Sequence, residues 1–165
     1  MIKRTIAVTL LTICVGVLPA ASQFGQISKA QLIDELKEQL ANSRYVYISS
    51  ARKDHSFGKP AEIWFLFHED SVWVGTPPES WRAKRIKAGR RMAKIAVGKV
   101  DGPVFFARGT IVQDPKVEEL LFQTFATKYP EGWPQHEESF RKGFKDGSRV
   151  LIRYSPHETE TEAAG

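Results

Sequence analysis

The sequence predicts a mostly β protein with peripheral helices (α+β), built around a small six-stranded antiparallel barrel. Six short segments rich in β-branched and aromatic residues alternate with turn signals, which is the pattern of short strands. Segments with a helical repeat stand before and between them. With 165 residues, 42% hydrophobic and 26% charged, the chain fits a single globular domain.

The first 22 residues form a separate segment. Lys3 and Arg4 precede the uncharged apolar run 5–18, which leads to Pro19-Ala20-Ala21-Ser22. This order predicts a secretory signal peptide over residues 1–22, and hence export to the periplasm or the medium. The alternative is an uncleaved membrane anchor over residues 5–21, although this run is shorter than most spanning helices.

The predicted domain covers residues 23–156 and opens with a helix over 28–41. Leu32, Leu36 and Leu40 recur every four residues, and Ser28 with Gln31 forms a capping-box pattern. The period then changes to that of strands. The predicted strands are 45–50, 61–67, 71–75, 92–97, 104–112 and 149–154. Their connections include short turns, which favour antiparallel neighbours.

Three further helices are predicted between the strands. A short one starts at Ser80, a second follows Asp114-Pro115, and a third covers 135–144. A sheet of six short strands has to hide its edges, so a closed or half-closed barrel with the helices outside is the simplest arrangement. Residues 157–165 carry alternating glutamates and predict a disordered acidic tail.

Composition excludes several classes of site. The single cysteine, Cys14, lies in the apolar leader, so disulfides, Cys-rich zinc sites and iron–sulfur clusters are not expected. The four histidines have no HxxxH-type spacing, so no metal site is predicted. The net charge is +5, or +3 without residues 1–22, and says little about partners.

Charge is concentrated instead between Arg82 and Lys94, where seven Lys and Arg residues occur without an acid. The ordinary interpretation is a solvated helix face. Contact with anionic lipid headgroups is an alternative for an exported chain. Nucleic-acid binding is not predicted, because no recognised binding module is present.

Residues 76–86 hold the most informative motif, which follows a strand and opens a helix. Thr76 and Ser80 supply hydroxyls, while Arg82 and Arg85 are three residues apart and share a helix face. Hydroxyl donors and guanidinium forks beside a helix start are the groups that bind a phosphate. The motif therefore predicts recognition of a phosphomonoester.

The order of motifs around this segment resembles that of a known family. Gly58-Lys59-Pro60 is followed by Ile63-Trp64-Phe65-Leu66, by Val72-Trp73-Val74-Gly75-Thr76, and by Ser80-x-Arg82-x-x-Arg85-Ile86. This pattern, which covers residues 43–156, resembles the pyridoxamine 5'-phosphate oxidase-like split β-barrels, which include flavin- and deazaflavin-dependent oxidoreductases. The chain departs from the family pattern in lacking a second Pro after Gly-x-Pro, an Asn at Arg85 and a Pro at Arg90.

The resemblance implies an FMN-binding flavoprotein, with a deazaflavin as the alternative cofactor. The cofactor phosphate is expected on Thr76, Ser80, Arg82 and Arg85, and the ring near Trp64 and Trp73. It also implies a small-molecule redox substrate and a homodimer, and it assigns no catalytic side chain. The chemistry would belong to the cofactor.

Other interpretations stay open. The same barrel could be a non-catalytic exported binder of a flavin, haem or another anionic small molecule. Haem needs an axial ligand, however, and His55 and His68 lie at predicted turns, where they are expected to be exposed. A barrel that has lost its ligand and acts in assembly is a third interpretation. Most of the aromatic residues, including Trp64 and Trp73, could equally be core residues. Arg108 is either outward-facing or a pocket residue.

Overall fold

The structure is a computed structural model that describes residues 29–157. The predicted signal peptide, Ser28 of the capping box, and the glutamates after His157 lie outside these residues. The elements in chain order are α1 (Lys29–Asn42), β1 (Val46–Ser50), β2 (Ala61–Ile63), β3 (Leu66–His68), β4 (Ser71–Thr76), α2 (Trp81–Lys87), β5 (Met92–Val97), β6 (Val104–Val112), α3 (Pro115–Lys128), α4 (Trp133–Asp146) and β7 (Val150–His157).

The seven strands within residues 29–157 form one antiparallel sheet in the order β2-β1-β5-β6-β7-β4-β3. The predicted α+β class is confirmed, but the described part of the chain contains seven strands rather than six. The difference arises in the segment 61–67, which was expected to be one strand. Trp64 and Phe65 leave the ladder there, and β2 and β3 pair with different neighbours.

This interruption explains the shape of the sheet. β2 and β3 are its two edge strands, yet only two residues, Trp64 and Phe65, separate them in the chain. Three Cα–Cα steps span at most about 11 Å. The sheet therefore has to curl until its edges come together, which produces a half-barrel.

Apolar residues form two clusters, one on each side of the sheet. The cluster within the curl contains buried side chains from most strands, from α1 and from α2, among them Leu40, Val74, Ile86, Ile95, Phe105, Ile152 and Tyr154. The cluster outside it lies between the sheet and the pair α3 and α4, and includes Trp73, Leu121, Phe125, Tyr129 and Trp133. The α3 and α4 helices thus cover one outer surface of the barrel.

The local signals placed most helices correctly. Asp114 caps α3 with its Oδ1, which accepts hydrogen bonds from the backbone N–H groups of Lys116 and Val117, and Pro115 is the first helical residue. Leu36 and Leu40 of α1 are buried, in agreement with the predicted helix whose leucines recur every four residues. The last helix is longer than predicted, since α4 begins at Trp133 and ends before the left-handed Gly147.

The closing strand, β7, extends further toward the C-terminus than predicted. β7 runs to His157 instead of ending at Tyr154. The reason is the long partner strand β6, which pairs with β7 from Val112↔Leu151 to Phe106↔His157. The first residue of the predicted tail is therefore part of the sheet.

Candidate functional site

The candidate site lies where β4 leads into α2. Ser80 is the N-cap of α2 in an extended conformation, and its Oγ accepts a hydrogen bond from the Ala83 N–H at 3.4 Å. Ala83 and Ile86 bury one face of the helix in the cluster within the curl. A Cβ on Gly109 of β6 would lie 2.7 Å from Ile86 Cδ1, so this glycine allows the close approach of α2. The helix is thereby fixed against the barrel wall.

Two adjoining cavities flank α2, each with a volume of about 360 Å³. The first, named here the Trp64 cavity, includes Trp64, Thr76, Arg82, His136, Phe140 and Arg149 in its lining. The second, the Ser80 cavity, includes Ser80, Trp81, Arg82, Arg85, Arg52 and Lys59. Arg82 lines both cavities. The four residues of the predicted phosphate site are thus divided between two neighbouring cavities that share one guanidinium group.

Arg82 has the properties of an anion-binding side chain. Within residues 29–157 it forms no hydrogen bond or ion pair, and desolvation by burial lowers the pKa of its guanidinium. The charge of Arg82 acts on the nearby hydroxyl of Tyr154, which is buried beside the side chain of Ser50. Burial raises the pKa of Tyr154 to about 12. An unpaired, partly desolvated cation favours an anionic ligand.

Arg149 is a second cation of the Trp64 cavity that the sequence did not single out. Its Nη1 donates to the backbone oxygen of Gly75 at 3.3 Å, and its guanidinium carbon lies 3.5 Å from the centroid of the Phe140 ring. Its Nε is buried without a partner among residues 29–157, and burial lowers its pKa. The only signal in the sequence is a basic residue at the start of the predicted closing strand 149–154.

Arg85 has a different environment from Arg82. Its Nη1 donates to the backbone oxygen of Ser50 at 2.8 Å, and the indole of Trp81 lies beside its guanidinium, with 5.9 Å from Cζ to the ring centroid. A Cβ on Gly58 would come within 2.9 Å of the same Nη1. Arg85 therefore ties α2 to the end of β1, while the rest of its guanidinium group borders the Ser80 cavity.

Thr76 and Ser80 retain hydroxyl groups able to bind a ligand. The Thr76 side chain is largely buried at the Trp64 cavity and makes no hydrogen bond within residues 29–157. The Ser80 hydroxyl accepts one hydrogen bond from Ala83 and keeps its proton for another partner. Both hydroxyls could thus donate to an anion.

The two tryptophans of the predicted ring site lie in different environments. Trp64 lines the Trp64 cavity and stacks on Tyr129 with ring centroids 4.4 Å apart. Trp73 is buried in the cluster under α3 and α4, where its Nε1 donates to the His68 backbone oxygen at 2.9 Å. The structure brings Trp64 to the cavity that Thr76 and Arg82 line, and it places Trp73 in the packed core.

Two further polar groups, Glu62 and His136, line the Trp64 cavity. Glu62 at the edge of the Trp64 cavity accepts a hydrogen bond of 2.6 Å from the Tyr47 hydroxyl. His136 lines the same cavity and contacts Trp64 edge-on.

Within residues 29–157, no group of three His, Cys, Asp or Glu side chains is arranged to hold a metal ion. In the same range, no helix is long and apolar enough to cross a membrane.

Comparison with known proteins shows the fold. No family model matches the chain, and no curated protein matches its sequence. Among solved structures, a candidate pyridoxamine 5'-phosphate oxidase from Listeria innocua matches with a TM-score of 0.54 and 14% identity, over 76% of this chain and 94% of that one. A conserved hypothetical protein from Mycobacterium tuberculosis matches with a TM-score of 0.57 and 15% identity, over 81% and 84% of the two chains.

A third similar structure is HutZ, the haem storage protein from Vibrio cholerae. It matches with a TM-score of 0.53 and 12% identity, over 78% of this chain and 92% of that chain. At such low identities the comparisons show a shared fold. The chain has the split β-barrel fold of the pyridoxamine 5'-phosphate oxidase-like proteins, in agreement with the resemblance read from the sequence.

Proposed function

We propose that this protein is an exported redox protein that binds a phosphate-bearing flavin, either FMN or a deazaflavin, beside α2. The observation that carries the proposal is the position of Arg82, an unpaired and partly desolvated cation shared by two cavities. The split-barrel fold of a candidate pyridoxamine 5'-phosphate oxidase supports the same class of ligand.

The residues present fit such a cofactor. Arg82 and Arg149 keep buried or half-buried guanidinium groups with unfilled donor capacity within the described residues. The hydroxyls of Thr76 and Ser80 lie at the same two cavities. Phosphate dianions are bound by this combination of charged forks and hydroxyl donors. The aromatic surface of Trp64, which is only partly buried, offers a flat wall for a ring.

The division of roles follows from these contacts. A bound flavin or deazaflavin supplies the hydride chemistry. Arg82, Arg85 and Ser80 hold the phosphate, and Trp64 limits the movement of the ring. Phe140 and the aliphatic part of Arg149 exclude water from the Trp64 cavity, which strengthens the electrostatic attraction there. No side chain of the site has to accept or donate a proton for the cofactor to be held.

The test is binding by the purified full-length chain. We expect bound chromophore absorbance as isolated, or stoichiometric binding of FMN or of a phosphate-bearing deazaflavin at micromolar concentration. We further expect the bound cofactor to be reduced by a nicotinamide nucleotide. Lack of binding by both cofactors would overturn the proposal, while tight binding without any reduction would reduce it to a binding protein.

Haem is the second candidate ligand, favoured by His136 and by the similarity to the haem storage protein HutZ. His136 lies at the Trp64 cavity, whereas His55 and His68, the histidines at the predicted turns, do not line it. An imidazole at the cavity could serve as an axial ligand of haem iron. A haem complex would show a Soret band that shifts in His136→Ala but not in His68→Ala.

Export and dimerisation belong to the same proposal. The signal-like leader supports export, which N-terminal sequencing of protein recovered from the periplasm or medium would test. The indole of Trp81 is 76% accessible and lines the Ser80 cavity, so a second copy that contacts this cavity would cover it. Sedimentation of the loaded protein should give twice the mass of one chain, and a monomer would contradict the dimer.

A further inference from the structure

A third cavity lies between the loop that follows β1 and the loop that precedes β5. It has a volume of about 350 Å³ and is named here the Arg90 cavity. Its lining contains no acid and five cationic side chains, which are those of Arg52, Lys53, Arg90, Arg91 and Arg108. Like charges gathered around a concavity repel one another and concentrate a positive potential there. Such an arrangement favours binding of an anion.

Arg90 supplies an independent observation. Its Nε is buried and has no hydrogen-bond partner within residues 29–157. Its backbone N–H, in contrast, is bonded to the Arg85 oxygen at 2.9 Å, after Gly89 turns the chain with a φ of 82°. A buried N–H of a guanidinium group without an acceptor carries a free-energy cost. Arg90 also lines the cavity and its side chain forms no hydrogen bond or ion pair within residues 29–157, so its remaining N–H groups can donate to a ligand bound there.

The acid of the loop after β1 forms no ion pair with the cavity residues, although the charge of Arg52 contributes to lowering its pKa. Asp54 belongs to the same loop, but its Oδ1 accepts hydrogen bonds from the N–H and the hydroxyl of Ser56 at 3.1 and 2.7 Å. It is not part of the cavity lining. The positive side chains of the cavity are therefore left without an ion-pair partner in the described part of the chain.

We propose that the Arg90 cavity is a second anion site, which binds the phosphate group of a small molecule separately from the flavin site. Arg90 and Arg108 would supply the forked donors, and Arg52, Lys53 and Arg91 the surrounding charge. The cavity has no residue in common with the Trp64 cavity and shares only Arg52 with the Ser80 cavity. Its occupation does not depend on the proposed function.

Pyrophosphate is the probe for this site. We expect calorimetric titration at constant ionic strength to give binding that the double variant Arg90→Gln and Arg108→Gln weakens at least tenfold. The matched control is Lys87→Gln with Lys94→Gln, which removes the same charge from exposed residues outside all described cavities. The control should change the affinity less than twofold, and equal weakening by both double variants would overturn the proposal.

His55 provides a local readout because it lines the Arg90 cavity. Its ring resonances should shift on addition of pyrophosphate, and the shift should persist in Arg82→Gln, which disables only the flavin site. Shifts at His136 without shifts at His55 would place the anion in the Trp64 cavity and refute a second site. If the double variant does not fold, the single variant Arg108→Gln replaces it in the titration, because Arg108 is exposed on β6 and its substitution should not disturb the core.

The phosphate could be carried by a soluble molecule or by a lipid headgroup. Vesicles of phosphatidylcholine with phosphatidic acid distinguish the two sources. If the wild-type chain sediments with these vesicles and the Arg90 and Arg108 double variant does not, the phosphate belongs to a lipid headgroup. Failure to sediment, together with pyrophosphate binding, would assign a soluble ligand.

Discussion

Trp64 stacks on Tyr129, with ring centroids 4.4 Å apart and ring planes inclined by 6°. The Tyr129 hydroxyl also accepts a hydrogen bond from the Phe65 N–H at 3.1 Å and donates one to the Arg44 backbone oxygen at 2.7 Å. One buried side chain thus holds the segment that joins the two sheet edges and supports the wall of the Trp64 cavity.

Tyr129→Phe should therefore lower the free energy of unfolding by about 1–3 kcal/mol, because a buried N–H loses its acceptor. Urea unfolding measures this change. The matched control is Tyr45→Phe, whose hydroxyl accepts only an exposed hydrogen bond from the adjacent Arg44, and which should cost less than about 0.5 kcal/mol. Equal losses in both variants would contradict the role assigned to Tyr129.

The partly buried position of Lys128 should make the free energy of unfolding depend on pH. Its Nζ lies 3.6 Å from the Phe65 ring centroid, and burial lowers its pKa from 10.5 to about 8. Between these two values the unfolded chain binds more protons at Lys128 than the folded protein does, so its contribution to stability increases as pH rises through this window. Below pH 8 the half-buried charge destabilises the fold.

Lys128→Met should stabilise the protein at pH 7 by about 1–2 kcal/mol, after allowance for solvent screening and the lost contact with the ring. The advantage should shrink at pH 9.5. Urea unfolding at both pH values tests this, with Lys116→Met on the exposed face of α3 as the control. An advantage that is the same at both pH values would contradict burial as its cause.

The absence of a side chain at Gly109 allows α2 to pack closely on β6. A Cβ at this position would lie 2.7 Å from Ile86 Cδ1 and 2.8 Å from Tyr154 Cε1. Gly109→Ala should therefore lower the free energy of unfolding by about 1–3 kcal/mol. Ile86→Val removes the nearer of these atoms and should recover part of the loss in the double variant. Strictly additive effects of the two substitutions would show that α2 does not approach β6 this closely.

Much of the fold could be predicted from local sequence signals. The Asp114-Pro115 pair fixes the start of α3 because its capping chemistry involves adjacent residues. The break at Trp64 and Phe65 could not be predicted in this way, since both residues favour strands. It depends on the hydroxyl of Tyr129, a residue 64 positions from Phe65 in the chain.

The candidate site was predicted in part. Thr76, Ser80, Arg82 and Arg85 follow one another in the chain and line two adjoining cavities. Their spacing could not show that Arg85 is bonded to Ser50, because that contact joins distant segments. Similarly, the strand pattern could not decide which side of the sheet Trp73 faces, or bring Arg149 to the cavity of Trp64.

The most direct test of the central claim compares FMN with riboflavin, which lacks the phosphate, in the wild-type chain and in Arg82→Gln. The wild type should bind FMN more tightly than riboflavin, and Arg82→Gln should lose about 10- to 100-fold in FMN affinity, as expected for one or two charge-assisted hydrogen bonds. Riboflavin affinity should be unchanged, as should both affinities in the exposed control Lys87→Gln. Equal losses for FMN and riboflavin, or no loss for either, would contradict the assignment of Arg82 to the phosphate.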